Sequence, residues 1–396
     1  MNVELLAPAG SLEGLKTALY FGADAVYCGG PMLQLRAGST TFSFAELTEA
    51  VRYTHSLGKK LYVTVNCFAE NDEIPLAGDY GKRLLDIGVD AVIVSDLGVL
   101  SELREKCPEL ETHISTQANT QNYKTIEMYH SLGVKRVVLG REMTMDAIEQ
   151  LKDRIPSDCE IEVFVHGAMC MAYSGRCLLS SFMNNRSGNR GECSQPCRWS
   201  YYLVEEKRKN MFLPVIEEAG ATAVLSSTDL KAISFLDRLE KAGVSSFKIE
   251  GRMKSPYYVA TVVNAYRKFM DGSATLEQCE RELDCASHRP YASGFFFGEA
   301  KVSPENDGLY RQSCSFTGVV LELLSDGRAV VEMRNRFKTG DTLEILSPHS
   351  MGEALTVLEI TGEDGEVKNE AILVQEKVTV KSDKKLFPGD MLRKRL

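Results

Sequence analysis

The chain has 396 residues and a net charge of −9, with 44% apolar and 26% charged residues. This length is typical of two domains, and the composition is that of a folded globular protein. The negative charge argues against a broad basic face that wraps a long duplex, but it does not exclude a local contact with a folded RNA. No basic segment precedes the opening run MNVELLAPAG, and no apolar run is long enough to span a bilayer, so we expect a cytoplasmic protein with no membrane contact.

A repeated pattern of helix, glycine and short apolar run predicts a parallel sheet. Glycine takes the left-handed conformation that ends a helix, and a β-branched run suits a buried strand. Eight parallel strands favour an α/β fold of the TIM-type (β/α)8 barrel. An open doubly wound sheet is the alternative, but no Gly-rich phosphate fingerprint follows the first strand. The junction glycines are Gly22, Gly58, Gly88, Gly133 and Gly243, and the predicted strands are Glu4–Leu6, Ala25–Cys28, Lys60–Asn66, Ala91–Val94, Thr112–Ser115, Arg136–Leu139, Glu160–Val165 and Ser245–Ile249.

Capping residues mark two of the helix starts. Ser43 with Glu46 is a capping box. Ser255 followed by Pro256 is typical of an N-cap and the first helical position. A further helix is predicted from about Asp229 to Ala242.

The regular spacing breaks once, between the seventh and the eighth strand. The insertion there, at about 166–228, carries four cysteines and then two hairpin-like runs, RWSYYLVEE and MFLPVIEEAG. Insertions that follow barrel strands lie on the face where TIM barrels hold their active sites. We therefore assign residues 1–290 to the barrel and expect the cysteine loop to lie over its mouth.

The last part of the chain has a different pattern. Residues 291–314 are a Gly- and aromatic-rich linker, and residues 315–396 contain short alternating runs separated by turn residues. That pattern predicts a small β-barrel. The predicted architecture is thus a TIM-type barrel with a cysteine-bearing insertion before its last strand, followed by a small C-terminal β-barrel domain.

Four cysteines in one polar loop, Cys170, Cys177, Cys193 and Cys197, indicate a cofactor site. In a reducing compartment such a group binds metal or catalyses more often than it forms disulfides. The spacing is C-x6-C-x15-C-x3-C, and only the last pair has the short separation of a zinc knuckle. A 4Fe-4S cluster accepts ligands from separated turns. The spacing favours the cluster, with zinc and four packed thiols as alternatives.

The stretch EVFVHGAMCMAYSGRCLLS resembles, residue by residue, the signature of collagenase-like peptidase family thirty-two, whose catalytic type is unknown. The segments ELLAPAGSLEGLKTALYFGADAVYCGG, CSQPCRW and KIEGRMKSPYYV are similar to this family as well, so the resemblance covers nearly the whole chain. Members with all four cysteines bind a 4Fe-4S cluster. The resemblance therefore implies Cys170, Cys177, Cys193 and Cys197 as its ligands.

The branch of this family that the chain resembles most is bacterial and hydroxylates the wobble uridine of tRNA to 5-hydroxyuridine. It works without molecular oxygen and depends on prephenate. The resemblance implies a tRNA-modifying enzyme that binds the anticodon loop and prephenate, and a related partner subunit is possible because some relatives work in pairs. Other branches hydroxylate a ribosomal RNA cytidine or a quinone ring. The tract LSSFMNNRSGNRGE departs from the usual His-Arg-Asp-Pro-Asn phrase, which leaves the substrate open.

The sequence gives the peptidase name little support. The motifs H-E-x-x-H and G-x-S-x-G are absent. Cys170 or Cys177 with His166 is the remaining candidate for a thiol-peptidase pair. A thiolate bound to iron is not available as a nucleophile. Peptide hydrolysis stays as the alternative function.

Polar side chains near the carboxyl ends of the strands supply the other site candidates. Cationic side chains there would hold the carboxylates of prephenate, with an ion pair to an adjacent Glu as the alternative role of Arg141 and Arg252. Tyr173 and Trp199 flank the cysteines, where a base could stack on them, although core packing is the commoner role. The catalytic candidates are His166, Glu142 and Glu250, and the substrate-binding candidates are Asn66, Gln117, Arg141, Tyr173, Arg176, Arg252 and Lys254.

Overall fold

The structure is a computed structural model that describes residues 1–35, 41–170, 173–199, 202–204, 212–214, 228–298 and 310–396. Its first part is built from βα units. The strands are β1 (Glu4–Pro8), β2 (Ala25–Gly29), β3 (Lys60–Val65), β4 (Ala91–Val94), β5 (Glu111–Ile114), β6 (Arg136–Val138) and β7 (Glu160–Ala168). The helices between them are α1 (Leu12–Tyr20), α2 (Phe44–Ser56), α3 (Ile74–Ile87), α4 (Leu97–Lys106), α5 (Tyr123–Ser131) and α6 (Met145–Glu149).

After β7 the chain leaves the sheet and returns to close it. The elements that follow are α7 (Leu179–Asn184), β8 (Tyr202–Val204), β9 (Phe212–Pro214), β10 (Asp229–Lys231), α8 (Leu236–Lys241), β11 (Ser246–Ile249), α9 (Pro256–Met270), α10 (Leu276–Leu283) and β12 (Tyr291–Ala292). Strand β11 pairs in parallel with both β1 and β7, which completes a ring of eight parallel strands. The predicted TIM-type barrel is confirmed, and each predicted strand overlaps an observed one.

Local sequence signals account for much of this part of the fold. The Ser43–Glu46 capping box begins α2, and the Ser255 side chain caps α9 with Pro256 at its first position. All five junction glycines have positive φ, from +66° to +102°, the region in which residues with a Cβ are strained. The predicted hairpin after the cysteines is present as β8 paired with β9.

The helix predicted from Asp229 to Ala242 is wrong at its start. Residues 229–231 form β10, which pairs antiparallel with the last three residues of β7, and the helix itself is only α8. Asp229 is buried and its carboxylate lies 3.1 Å from Arg289, so tertiary contacts override the local helical pattern. Strand β12 pairs with β10, so the first residues of the predicted linker lie in the sheet of the barrel, and 299–309 lie outside the described residues.

The second part of the chain is an antiparallel barrel. Its strands are β13 (Cys314–Leu323), β14 (Ala329–Met333), β15 (Phe337–Lys338), β16 (Thr342–Ser347), β17 (Ser350–Thr361), β18 (Val367–Lys368), β19 (Glu370–Ala371), β20 (Lys377–Ser382) and β21 (Met391–Arg395). Six of them form a ring in the order β16, β21, β13, β14, β20 and β17, closed by pairing of β16 with β17. The predicted C-terminal barrel is confirmed.

The two barrels are packed against each other. Arg393 of β21 donates hydrogen bonds of 2.5 and 2.7 Å to the two carboxylate oxygens of Glu282 in α10, and both side chains are buried. The rings of Tyr257 in α9 and Phe316 in β13 are stacked with 4.8 Å between their centroids. Within the described parts of the chain, no helix has the length and apolar character that a membrane crossing requires.

Candidate active site at the barrel mouth

A cavity opens at the carboxyl ends of the barrel strands, beneath the loop that carries the cysteines. The barrel contributes its floor and walls, and residues from 168–170 and 173–197 contribute its roof, which includes all four loop cysteines. The cysteine loop therefore lies over the mouth, as the position of the insertion predicts. The predicted site residues that line this cavity are Asn66, Gln117, Arg141, Cys170, Tyr173, Cys177, Cys193, Cys197, Glu250 and Arg252.

The cysteine loop is anchored to the loops that follow β5 and β6. Gly175 has a φ of +71°, and a Cβ at this position would collide with the carbonyl oxygen of Gln117. Glu142 accepts a 2.7 Å hydrogen bond from the backbone N–H of Ser174 and further bonds from its hydroxyl. Glu142, predicted as catalytic, is not among the residues that line the cavity, and it positions the loop instead.

The donor set of the loop is four thiols, whose thiolates are the soft ligands that an iron–sulfur cluster or a zinc ion takes. Its cysteines are exposed or partly exposed, whereas the other seven cysteines are buried, which opposes the packed-thiol alternative. No three of the four loop sulfurs, all within the described chain, lie within 4.8 Å of one another. Zinc, with bonds of about 2.3 Å, holds its sulfurs about 4 Å apart. The backbone N–H of Gln195 lies 3.4 Å from Cys193 Sγ, and such hydrogen bonds tune cluster-bound thiolates.

Arg141 and Glu250 form an ion pair on the cavity wall. Arg141 Nη2 lies 2.9 Å from Glu250 Oε2, and the guanidinium lies 3.9 Å from the ring centroid of Phe164. The pair joins the segments that follow β6 and β11. Arg141 therefore has the ion pair that was the alternative to substrate binding, but its partner is Glu250 and not the adjacent Glu142, which binds Ser174.

Arg252 is a buried cation in the same wall, with 4% of its surface exposed. Its Nη1 donates a 2.7 Å hydrogen bond to the hydroxyl of Thr64, and its Nη2 donates to Gln34. These partners hold the planar guanidinium in one orientation against the cavity. A rigid, largely desolvated guanidinium is suited to bidentate binding of a carboxylate or phosphate.

Lys248 is a cavity residue that the sequence analysis missed. It lies on β11, its Nζ is 2.6 Å from Glu162 Oε1, and it lies 4.5 Å from the ring centroid of Tyr27. The signal was present in SSFKIEG, where a lysine stands inside a short apolar strand. A charge in such a strand requires a partner when it is buried.

Beneath Lys248 a network of buried charges fills the barrel. Glu162 is fully buried and also lies 3.2 Å from Arg136, which in turn lies 2.5 Å from Glu4. Burial opposes ionisation of Glu162, but the charges of Lys248 and Arg136 outweigh it and lower the pKa of this carboxyl. Charges of alternating sign thus extend from the base of the barrel to the cavity floor.

His166 lies behind the cavity wall and is not among its lining residues. Its side chain is 1% exposed, and its ring centroid lies within 6.1 Å of the ring centroids of Tyr258, Tyr266 and Tyr291. Its Nε2 has no hydrogen-bond partner among the described residues. Burial lowers the pKa of His166 to about 3, and the positive charges of Lys231, Lys254 and, when it is protonated, His288 act in the same direction. The imidazole is therefore neutral near pH 7.

Two further predicted binding residues do not line the cavity. Lys254 donates a 3.2 Å hydrogen bond to the carbonyl of Ser287 and lies over aromatic rings, and Arg176 is exposed on the loop. The expectation that Tyr173 and Trp199 pack in the core is wrong, because they are 62% and 45% exposed. Tyr173 lies at the cavity rim.

Comparison with known proteins gives a consistent result along the chain. Residues 10–306 match the profile of peptidase family U32, and residues 312–393 match the C-terminal domain of that family. The chain is 39% identical to tRNA hydroxylation protein P1 of Bacillus subtilis, over 99% of this chain and 94% of that protein. It is 36% identical to tRNA hydroxylation protein P of Escherichia coli, over 87% and 86%. It is also 33% identical to a collagenase of Porphyromonas gingivalis, over 76% and 75%.

Proposed function

The chain belongs to peptidase family U32, and we propose that it is an RNA-modifying enzyme that hydroxylates tRNA. The observation that carries the proposal is the cavity, where four cysteines and the cations Arg141, Lys248 and Arg252 converge at the carboxyl ends of the barrel strands. TIM barrels hold their reacting groups on this face. The two tRNA hydroxylation proteins similar to this chain over most of its length support the assignment.

The proposed substrate is the wobble uridine, and the proposed product is 5-hydroxyuridine, with prephenate as co-substrate. An anticodon base is already unpaired, so its entry into the cavity costs less free energy than extraction from a duplex. The exposed ring of Tyr173 at the rim offers a stacking surface for that base. Arg252 and Lys248 supply positive charge for the carboxylates of prephenate.

The four loop cysteines are the proposed ligands of a 4Fe-4S cluster. Their place in the cavity lining and the N–H contact to Cys193 support this assignment. When bound, such a cluster supplies one-electron transfer next to the substrate. The protein residues orient the substrate: the Arg141–Glu250 pair and Arg252 fix the cavity wall, and the loop covers the mouth and limits access of water.

Purification without oxygen tests the cofactor. We expect a brown protein with about four iron and four sulfide per chain, measured by absorption and by iron and sulfide assays. Cys193→Ala is expected to lose the colour and most of the iron, because it removes one ligand. Cys67→Ala, which changes a buried cysteine outside the loop, is the matched control and should keep both. Colourless protein with one zinc per chain would contradict the cluster.

The substrate is tested in an Escherichia coli strain that lacks its own tRNA hydroxylation protein P and is grown without oxygen. We expect expression of this chain to restore 5-hydroxyuridine-type nucleosides in hydrolysed tRNA, as measured by mass spectrometry. Cys193→Ala should not restore them. Unchanged tRNA in the presence of folded, iron-containing protein would contradict the tRNA assignment.

Peptide hydrolysis, the alternative, requires a histidine that takes a proton from a cysteine. His166 does not serve this role well, since it lies outside the cavity lining and its pKa is lowered to about 3. A collagen peptide incubated with the protein, with and without its iron, tests this alternative. We expect no cleavage in either form.

A further inference from the structure

Cys285 and Cys314 form a pair of thiols that the proposed hydroxylation does not use. Their Sγ atoms lie 2.7 Å apart, and both side chains are fully buried. Cys285 follows α10 of the first barrel, whereas Cys314 is the first residue of β13 in the second barrel. Contact between these two sulfurs therefore bridges the two barrels.

Backbone hydrogen bonds hold the two cysteine-bearing segments side by side. The N–H of Ser313 donates to the carbonyl of Asp284 at 2.8 Å. His288 and Arg311 exchange two backbone hydrogen bonds of 3.0 and 2.7 Å as an antiparallel bridge. The main chain, and not side-chain rotamers alone, thus brings the two sulfurs together.

The charges around the pair favour a thiolate on Cys285. Arg395 Nη2 lies 3.6 Å from Cys285 Sγ, and the Ser313 hydroxyl also lies 3.6 Å from it. The hydrogen bond with the Cys314 thiol lowers the pKa of Cys285 and raises that of Cys314, and the charge of Arg393 also lowers the pKa of Cys285 against the effect of burial. A thiolate beside a second thiol is the arrangement that thiol–disulfide exchange requires.

A metal ion is the competing occupant of this place, because Glu344 has a carboxylate oxygen within 4.8 Å of both sulfurs. Its carboxylate, however, already accepts hydrogen bonds of 2.6 to 3.1 Å from Arg393 and Arg395. Two guanidinium charges next to the donors repel a cation. Sulfurs 2.7 Å apart are also closer than the roughly 4 Å between two ligands of one zinc ion. Charge and spacing therefore favour a bond between the sulfurs.

We propose that Cys285 and Cys314 are a redox modification site that takes a low-molecular-weight disulfide as its oxidant and closes a disulfide between the two barrels. The Cys285 thiolate attacks one sulfur of the oxidant, which forms a mixed disulfide and releases one thiolate. The released thiolate takes the proton of Cys314, whose thiolate then attacks the Cys285 sulfur and releases the second thiolate. Two protein thiols lose two electrons, and the oxidant is reduced to two thiols.

Thiol mapping of the full chain tests the proposal. Reduced protein is equilibrated with glutathione at increasing ratios of oxidised to reduced form, quenched in acid, unfolded, alkylated with N-ethylmaleimide and digested for mass spectrometry. We expect a linked peptide with Cys285 and Cys314 as the main product at high ratios, reversed by dithiothreitol. Because the samples reach equilibrium, slow access to the buried sulfurs does not affect the result.

Two variants and a melting curve complete the test. Cys314→Ser is expected to abolish the linked peptide, and Cys279→Ser, which changes a buried cysteine of α10, should leave it unchanged. The oxidised wild-type protein should unfold about 5 °C above the reduced protein. The proposal would be overturned if both cysteines were alkylated at every glutathione ratio, or if the linked peptide formed only in denaturant. Protection of both thiols from alkylation by equimolar zinc would overturn it as well. None of these readouts depends on RNA hydroxylation.

Discussion

At the scale of single residues, the cavity depends on charges that are buried but paired. Lys248 lies at the floor of the cavity because Glu162 compensates its charge from within the barrel, and Glu162 is itself compensated by Arg136. Removal of one member of such a set leaves an uncompensated charge in a medium that solvates it poorly. The stability of the barrel and the positive charge of the cavity are therefore linked.

Lys248→Met tests this link. We expect the free energy of unfolding to fall by about 3–5 kcal/mol, because Glu162 loses its 2.6 Å partner while it remains buried. Urea unfolding followed by circular dichroism measures the change. Lys124→Met removes the 2.7 Å pair with Glu127 on the exposed face of α5 and should change nothing measurable. Equal effects of the two substitutions would contradict a structural role for the buried pair.

His166 makes a prediction about acid stability. Its pKa falls from about 6.5 in the unfolded chain to about 3 in the fold, so below pH 6.5 the unfolded state binds a proton that the folded state does not. His166 therefore leaves the free energy of unfolding unchanged above pH 6.5 and lowers it by about 2.5 kcal/mol at pH 4.5. His166→Gln should lose correspondingly less stability than wild type between pH 7 and pH 4.5 in urea titrations. If the free energies of unfolding of the wild type and of His166→Gln changed with pH in parallel, His166 would be protonated in the folded state.

The sequence places a residue at the site when the residue follows a strand end or lies in the insertion. It does not do so when the role of the residue depends on a side chain that is distant in the sequence. The cysteines, Arg141 and Arg252 could be placed at the mouth because they follow strand ends or lie in the insertion. Lys248 could not, since its position becomes informative only when Glu162 of another strand faces it inside a closed ring. No nearby part of the sequence indicates that pairing.

At the scale of elements, the end of β7 determines where the cysteine loop begins. Gly167 has a φ of +105°, and a Cβ there would lie 2.6 Å from the carbonyl oxygen of Glu250. The glycine thus allows β7 to pass close to the end of β11 while it pairs with β10 on its other side. This contact places the start of the loop directly beside the Arg141–Glu250 pair.

Gly167→Ala is expected to be far more harmful than the same change at another left-handed glycine. Gly58 has a φ of +66° with nothing within 4 Å of a built Cβ, so Gly58→Ala should cost only backbone strain of about 1 kcal/mol. Gly167→Ala adds a collision with main-chain atoms, and we expect a loss of 3 kcal/mol or more together with reduced iron content. Urea unfolding and iron assay measure both. Similar losses for the two variants would contradict the close approach.

A strand or helix could be predicted from the sequence where its apolar run and the capping residue or glycine beside it are neighbours in the chain. The eight ring strands and the caps of α2 and α9 are of this kind. Strands β10 and β12 were not predictable, because each has three residues or fewer and exists through pairing with distant segments. In β10, a buried ion pair of Asp229 with Arg289 outweighs a local pattern that favours helix.

At the scale of the whole molecule, the two barrels share a buried interface. Arg393 and Glu282 form its ionic centre, at 0% and 3% exposure. The stack of Tyr257 on Phe316 adds an apolar contact across the same interface. We therefore expect the barrels to unfold together, with the interface contributing to the stability of both.

Arg393→Met tests the coupling of the barrels. We expect the free energy of unfolding to fall by about 3–5 kcal/mol, because Glu282 is left buried without its bidentate partner. The single transition should also separate into two in calorimetry. Arg328→Met removes an exposed pair with Asp326 within the second barrel and should retain one transition. A single, unshifted transition in Arg393→Met would contradict the coupling.

Closure of the first ring also sets an order of events during synthesis. Strand β11 follows β1 by about 240 residues, so the ribosome has made seven strands and the whole cysteine loop before the ring can close. Until then β1 and β7 each have an unpaired edge, and such edges are prone to pairing with other chains. The cysteines of the loop are translated while the ring is still open, so their thiols are accessible for assembly of the proposed cluster before folding is complete.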